Sequence, residues 1–162
     1  MVPTIQLTDL PDPAAKEAAG KALYAHNVAE TGVDDRRPIG CVATDPATGE
    51  VLDVLWGRTE MGLLFLDMFF LPKSLRGSGI GGRLLDEVET EARRRGCRRA
   101  VVETSSFQAP GFYMGHGYRE FGRVPFAVAN HARIFLAKEL AYSTNGLGAK
   151  LLNFATATWT WK

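Results

Sequence analysis

Cysteine and histidine are scarce in this sequence. Its 162 residues include two cysteines, Cys41 and Cys97, and three histidines. Two cysteines without metal-ligand spacing support neither a disulfide framework nor a zinc site. We therefore expect no metal centre, and we interpret both cysteines as small core residues.

The sequence also lacks an excess of either charge and any long apolar run. Its formal net charge is +1, so no overall field favours nucleic acid or a membrane surface. The basic cluster between Arg93 and Arg99 is interpreted as a solvated helix end, with pairs from Glu89 to Arg93 and from Glu91 to Arg95. No segment is typical of a transmembrane helix, and the N-terminus lacks the basic region of a signal peptide. We expect a cytoplasmic protein that binds neither nucleic acid nor a membrane.

The length of the chain indicates a single domain. A chain of 162 residues can bury one sizeable core but is too short for two ordinary domains. We assign residues 1–140 to this domain. Residues 141–162 form an extension that is too apolar to remain solvated comfortably. We expect it to pack on the domain or on a second protomer, as in a homodimer.

The strongest local pattern lies between Leu63 and Arg95. Residues 63–71 are apolar except at Asp67, which is typical of a central strand covered on both faces. After Pro72 comes a glycine-rich loop, and then a helix with apolar residues at helical spacing. Backbone N–H groups of such a loop can point outward together at the positive end of the helix dipole, which predicts a phosphate cradle. The loop consists of Arg76, Gly77, Ser78, Gly79, Ile80, Gly81 and Gly82.

A nicotinamide-binding loop is one alternative for this glycine pattern. Gly77, Gly79 and Gly82 match G-x-G-x-x-G, and Glu103 follows about twenty residues later. In a Rossmann unit, however, the first glycine follows its strand almost at once, whereas residues 71–76 intervene here. The glycines are not followed by lysine and Ser or Thr, which excludes a P-loop. A nicotinamide-dependent oxidoreductase is therefore disfavoured by the position of the loop.

Two motifs resemble those of the GNAT superfamily of acyl-CoA N-acyltransferases. Residues 76–81 resemble its R/Q-x-x-G-x-G/A pyrophosphate loop, and Arg76 would add a cation for the phosphates. Residues 112–118, Phe-Tyr-Met-Gly-His-Gly-Tyr, resemble its F-Y-x-x-x-G-F/Y segment. The two motifs occur in the family's order. The resemblance covers about residues 5–140 and implies an α/β fold: a mixed, mostly antiparallel sheet of six to seven strands flanked by helices, with a βαβ crossover at the cofactor site.

The expected elements follow the chain in this order. A first strand is expected at Thr4–Leu7, and a helix that Pro13 opens is expected over residues 14–30. Strands at 39–43 and 51–58 form a hairpin because Pro46 and Gly49 lie between them. After the strand at 63–71 and the helix that follows the glycine-rich loop, we expect a strand at 98–104 that runs parallel to the strand at 63–71. A short helix is expected at 109–113, and two further strands at 118–124 and 132–138.

The resemblance implies an N-acetyltransferase that transfers acetyl from acetyl-CoA to a primary amine in a direct ternary complex. The acceptor would be a small molecule or a peptide. A primary amine has a pKa near 10 and must lose a proton before it attacks, the oxyanion needs a donor, and the departing thiolate benefits from an acid. The alternative is a catalytically silent CoA-binding or sensing domain, which would not need Tyr113 or the acidic residues.

The resemblance also implies cofactor contacts outside the loop. Main-chain groups of Phe69 and Leu71 would pair with the pantetheine amides, and an N–H near a bulge at Met68 to Phe70 would bind the oxyanion. The family usually has an asparagine before the short helix. This chain has Ser105-Ser106-Phe107-Gln108 there, so Gln108 or Ser106 would replace it.

Three residues are candidates for the chemistry itself. Tyr113 matches the family's tyrosine and would donate a proton or a hydrogen bond to the leaving sulfur. Asp67 and Glu103 are lone carboxylates on apolar strands, where burial would raise the pKa and suit a base. Either could instead pair with a cation such as Arg58, and ordered water could make a dedicated base unnecessary.

The acceptor would contact residues on the far side of the cleft. Candidates are Asn27 in the first helix, Asp67, Glu103, and Arg58, which could also meet Glu60 or a substrate carboxylate. His116 occupies a spacer position of the second motif, and we expect it to be exposed.

Overall fold

The computed structural model describes residues 3–140. The expected C-terminal extension, residues 141–162, lies outside the described residues. The helices are α1 (Pro13–Thr31), α2 (Ile80–Arg94) and α3 (Pro110–Gly115), with a 3-10 turn at Lys73–Leu75. The strands are β1 (Arg37–Thr44), β2 (Val51–Glu60), β3 (Leu63–Phe70), β4 (Arg99–Ser105), β5 (Arg119–Pro125) and β6 (Ala132–Glu139).

The six strands form one sheet in the order β1-β2-β3-β4-β6-β5. All neighbours are antiparallel except β3 and β4, which run parallel and are joined by α2. This arrangement confirms the mixed, mostly antiparallel sheet and its βαβ crossover. The hairpin of β1 and β2 is also confirmed.

The two parallel strands pair over only part of their length. Their register runs from Leu63 opposite Arg99 to Leu66 opposite Val102. Beyond these pairs β3 continues to Phe70 and β4 to Ser105, and the strands separate. A gap therefore opens at the carboxyl ends of the only parallel pair found within residues 3–140, which is where α/β proteins place ligands.

The core lies between the sheet and α2. Apolar residues of α2 recur at helical spacing, and each fully buried Leu or Val contributes about 1.5–3 kcal/mol relative to an exposed one. The helix begins at Ile80, so Gly81 and Gly82 of the glycine-rich segment belong to its first turn. Buried core residues include Leu55, Leu64, Leu66, Leu84, Leu85, Val88, Ala92, Ala100, Ile134 and Leu136.

A buried carboxylate ties α2 to the far end of the sheet. Glu89 has no exposed surface, and its oxygens accept hydrogen bonds from Tyr118 at 3.0 Å and Lys138 at 2.6 Å. Arg93 donates to it at 3.2 Å, as predicted from the i,i+4 spacing. These three donors replace the water that burial removes from the carboxylate. The predicted pair between Glu91 and Arg95 also forms, at 2.7 Å.

The structure corrects the prediction for the N-terminal residues. Thr4–Leu7 is not a strand, and Ile5 and Leu7 are each 95% exposed. A strand needs a neighbour for its backbone groups, and this segment pairs with no strand within residues 3–140. Helix α1 does form as predicted, because the Asp12 side chain caps the N–H of Ala14 and Pro13 occupies the first turn.

One expectation about β3 is also wrong. The strand is central, but Met68 and Phe70 are exposed rather than covered on both faces. Their apolar side chains line the gap between β3 and β4 and are not covered by a second packed layer. Within residues 3–140, no helix is both long and apolar enough to cross a membrane.

Candidate active site

A bulge in β3 shapes one wall of the site. Trp56 of β2 lies opposite Met68, but the next residue, Gly57, lies opposite Leu66, so Asp67 is the extra residue of the bulge. A Cβ on Gly57 would lie 2.2 Å from the Phe65 carbonyl oxygen, so only glycine fits there. A bulge bends its strand and re-aims side chains. The bulge at Asp67 lies one residue before Met68 to Phe70, where the resemblance implied it.

A cleft of about 880 Å³ opens where β3 and β4 separate. This volume is in the range of ligand sites, and its lining mixes apolar and charged side chains. One wall is the end of β3 and the other is the end of β4 with α3. The lining includes Asp67, Phe69, Phe70, Leu71, Arg76, Gly77, Gly79, Gly81, Gly82, Glu103, Phe107, Gln108, Phe112, Tyr113, His116 and Arg133.

The glycine-rich loop presents bare backbone to one end of this cleft. Gly77 and Gly79 have φ of +79° and +82°, which favour glycine, and no atom lies within 4 Å of a Cβ built on either. The N–H groups of Gly81 and Gly82 lie in the first turn of α2 and have no intrahelical acceptor. The N-cap residue, Gly79, has no side chain that could accept from them. Arg76 Nε donates to the Leu71 carbonyl at 3.0 Å and fastens the loop to the end of β3.

Two predicted loop residues do not line the cleft. Ser78 donates its hydroxyl to the Leu75 carbonyl at 2.6 Å, which closes the turn before α2. Ile80 packs against the core. The other predicted loop residues, Arg76, Gly77, Gly79, Gly81 and Gly82, do line it.

Tyr113 lies in the floor of the cleft. It is buried on α3 between the rings of Phe112 and Tyr118, whose centroids are 5.2 and 5.6 Å away. Burial raises the pKa of Tyr113 to about 12. The phenol is therefore neutral at neutral pH and can donate a hydrogen bond into the cleft.

Asp67 and Glu103 both face the cleft, but neither is buried. Asp67 forms an ion pair with Arg58, and Glu103 lies 3.7 Å from a guanidinium nitrogen of Arg133. The side chains of Asp67 and Glu103 are 47% and 60% exposed, so the expected burial of these carboxylates is wrong. The bulge and the separation of the strands open both positions to solvent.

The remaining predicted contacts differ in their distance from the cleft. Arg58 reaches it only through Asp67, and Glu60 pairs with Arg36 instead. Asn27 on α1 is not among the lining residues, and its carbonyl accepts a hydrogen bond from Thr31. Gln108 does line the cleft, and its amide oxygen accepts the N–H of Ser105 at 2.7 Å, which leaves its NH₂ group for a ligand.

Sequence reasoning missed several lining residues. His116, expected to be exposed, is half-buried, and its Nδ1 lies 2.8 Å from the Phe112 carbonyl oxygen. The i,i+4 spacing of these two residues was a signal for this contact. Arg133 follows a buried alanine in β6, and strict alternation would have placed it on the face opposite the core.

A family model places this geometry among known proteins. The model described as "Acetyltransferase (GNAT) domain" matches residues 22–120. The match includes the glycine-rich loop, Asp67, Glu103 and the Phe112-to-Tyr118 motif.

Curated and solved proteins agree with this match. The chain is 34% identical over 116 residues to "Acetyltransferase Atu2258" of Agrobacterium fabrum, covering 72% of this chain and 84% of that protein. It is 36% identical over 113 residues to "Blasticidin-S acetyltransferase" of Streptomyces morookaense, covering 68% and 83%. A crystal structure from Agrobacterium tumefaciens matches with a TM-score of 0.77 and 30% identity, over 84% of this chain and 98% of that one.

Proposed function

Because this chain belongs to the GNAT family of acetyltransferases, we propose that it transfers acetyl from acetyl-CoA to a primary amine in a direct ternary complex. One observation carries the proposal. The bare glycine-rich loop, the separated ends of β3 and β4, and the buried phenol of Tyr113 all line one cleft. A phosphate site, a channel for the pantetheine arm and a donor to the leaving sulfur are the parts that this reaction needs.

The residues of the cleft fit the parts of coenzyme A. The N–H groups at the start of α2 and the Arg76 side chain suit a diphosphate. Where β3 and β4 separate, their backbone groups are suited to pairing with the pantetheine amides. We propose that main-chain groups of Phe69 and Leu71 make these hydrogen bonds. The NH₂ group of Gln108 is proposed to replace the family's asparagine. Acetyl-CoA supplies the acetyl thioester.

The raised pKa of Tyr113 favours one of the two roles considered for it. A thiol has a pKa of about 8.5, so moving a proton fully from a phenol of pKa about 12 costs roughly 5 kcal/mol. A hydrogen bond from the phenol to the departing sulfur avoids this cost and still stabilises the developing negative charge. We therefore propose that Tyr113 stabilises the thiolate as a hydrogen-bond donor.

Asp67 and Glu103 are proposed to receive the acceptor. Their exposed, arginine-paired carboxylates can bind an ammonium group at the cleft, which places the amine near the thioester. The amine then loses a proton through water, the C–N bond forms, and the C–S bond breaks. Positioning is a better role for them than strong base, because burial that would raise their basicity is absent.

The acceptor class is proposed to be a small polar amine. The cleft is lined by the negative charges of Asp67 and Glu103 and by the positive charge of Arg133. This combination suits an amine that also carries an anionic group. A relative at 36% identity bears the name blasticidin-S acetyltransferase, which makes antibiotics of that kind the first acceptors to test. A peptide amine is the second class.

The cytoplasmic location and the homodimer stay predictions.

An acceptor screen tests the proposal. The purified full chain is given acetyl-CoA with blasticidin S, other aminoglycoside-like or nucleoside-like antibiotics, amino acids and peptides, and the released thiol is measured. Acceptor-dependent release with an acetylated product of the expected mass supports the proposal. Binding of acetyl-CoA without turnover on any amine would favour the silent CoA-binding domain instead.

A further inference from the structure

We propose that His116 is an additional ligand for the diphosphate of coenzyme A, which it contacts as an imidazolium through Nε2–H. This proposal rests on the acetyl-CoA site proposed above. His116 is not one of the residues that match either sequence motif, because it occupies a spacer position of the second. Two contacts fix the orientation of the His116 ring.

The first contact determines which ring nitrogen carries the proton. Nδ1 of His116 lies 2.8 Å from the carbonyl oxygen of Phe112, which can only accept a hydrogen bond, so Nδ1 is the donor. The ring also lies against the Phe112 ring, with 4.4 Å between centroids. His116 therefore turns its second nitrogen, Nε2, away from α3.

The second contact shows where Nε2 points. A Cβ built on Gly82 would lie 2.9 Å from Nε2, so this nitrogen touches the first turn of α2. Gly82 and His116 both line the cleft, together with Gly81 and Arg76. The N–H groups of Gly81 and Gly82 have no intrahelical acceptor. A phosphate oxygen at these groups would therefore lie beside Nε2.

A phosphate oxygen beside Nε2 requires one particular charge state of the ring. In a neutral ring with the proton on Nδ1, Nε2 carries a lone pair that repels a phosphate oxygen. Only the imidazolium has N–H on both nitrogens. Histidine changes charge between about pH 5 and 8, so binding of the diphosphate should be accompanied by proton uptake and be tighter at lower pH. The titratable or charged side chains that line the cleft together with His116 are Asp67, Arg76, Glu103, Tyr113 and Arg133.

The experiment compares the wild-type full chain with His116→Gln and with the control His26→Gln on α1. The ligand is 3′-dephospho-CoA, because the 3′-phosphate of coenzyme A itself titrates near pH 6 and the diphosphate does not. Dissociation constants are measured by calorimetry at about pH 6 and about pH 8.5, on either side of the histidine range.

The expected result is a loss that depends on pH. At about pH 6, His116→Gln should bind about tenfold more weakly than wild type, the usual effect of one charge-assisted hydrogen bond. At about pH 8.5 the two proteins should agree within about twofold, because this pH lies above the range in which histidine side chains change charge. His26→Gln should follow wild type at both values.

Three results would overturn the proposal. The first is equal affinity of His116→Gln and wild type for 3′-dephospho-CoA at low pH. The second is the same loss of affinity at both pH values. The third is the same loss of affinity for pantetheine, which has no phosphate. A spectroscopic measurement on wild type guards against misfolding of the variant: the His116 ring signals should shift toward the imidazolium form when 3′-dephospho-CoA is added near pH 7.5, and no shift also contradicts it. Failure of wild type to bind any CoA analogue would instead contradict the acetyl-CoA site as a whole.

Discussion

Arg58 of β2 donates a hydrogen bond to Asp67, the extra residue of the β3 bulge. The Arg58 guanidinium also lies over the Phe65 ring, 4.3 Å from its centroid. Asp67 is thereby held at the cleft with its second carboxylate oxygen left for a ligand. The bulge thus converts one residue of an apolar strand into a charged group at the proposed acceptor site.

Replacing Asp67 by Asn tests this role. The variant keeps the size of the side chain but loses the charge that would attract an ammonium group. We expect kcat/KM for the acceptor to fall about tenfold or more, while the dissociation constant of acetyl-CoA stays within about twofold. The control is Glu139→Gln, which removes the carboxylate of another exposed pair between strands, with Arg99, away from the cleft. An equal effect of the two variants would contradict the role of Asp67.

Tyr113→Phe tests the proposed donor to the leaving sulfur. The ring and its contacts with Phe112 and Tyr118 remain, and only the hydroxyl is lost. We expect kcat to fall about 10- to 100-fold with KM for acetyl-CoA within about twofold, because the hydrogen bond strengthens as charge develops on sulfur. Steady-state kinetics at saturating acceptor measure both constants. An unchanged kcat would remove Tyr113 from the chemistry.

How far sequence could predict this protein depends on the range of the interactions. The presence and order of the strand, loop and helix between Leu63 and Arg95 were predicted correctly, because their patterns are local, but the exposure of Met68 and Phe70 was not. The environments of Asp67 and Glu103 were not, because they depend on a bulge that only the pairing with Trp56 and Gly57 reveals, and on where the parallel strands separate. His116 was misjudged since its burial depends on α3 lying beside the start of α2.

The N-terminal error has a related cause. The short apolar pattern of Thr4–Leu7 is compatible with a strand, but a strand forms only where a neighbour supplies hydrogen bonds, and no local signal reports that neighbour. Within residues 3–140 the sheet therefore has six strands, which lies within the expected six to seven.

Glu89→Gln should destabilise the fold. The amide keeps the shape of the side chain but removes the buried negative charge and leaves the partly buried ammonium of Lys138 without its counter-charge. We expect the free energy of unfolding to fall by about 3 kcal/mol or more, as when a buried ion pair loses one partner. Urea denaturation provides the measurement. Glu120→Gln, which breaks a surface pair with Arg123, is the control and should change little. A Glu89→Gln effect as small as the control's would show that the cluster contributes little to stability.

The stability of the protein should also depend on Glu91 in acid. Hydrogen bonds from Arg94 and Arg95 lower the pKa of Glu91 from 4.5 to about 2. Since the folded-state pKa is the lower one, the ionised carboxylate stabilises the fold above about pH 4.5, and this contribution is lost as the pH falls toward about 2. Urea denaturation of wild type and Glu91→Gln should therefore show a stability difference that narrows across this range. A difference that stays constant would contradict the assignment.

The central claim is that the glycine-rich loop at the start of α2 binds the phosphates of acetyl-CoA, and calorimetry on Gly79→Asp tests it most directly. The new side chain would place a negative charge in the cradle. Gly49→Asp is a matched control, because Gly49 also has a positive φ and open space around its Cβ position but lies in the β1–β2 turn. We predict that wild type and Gly49→Asp bind acetyl-CoA and that Gly79→Asp does not. Equal binding by all three proteins, or none by wild type, would contradict the account.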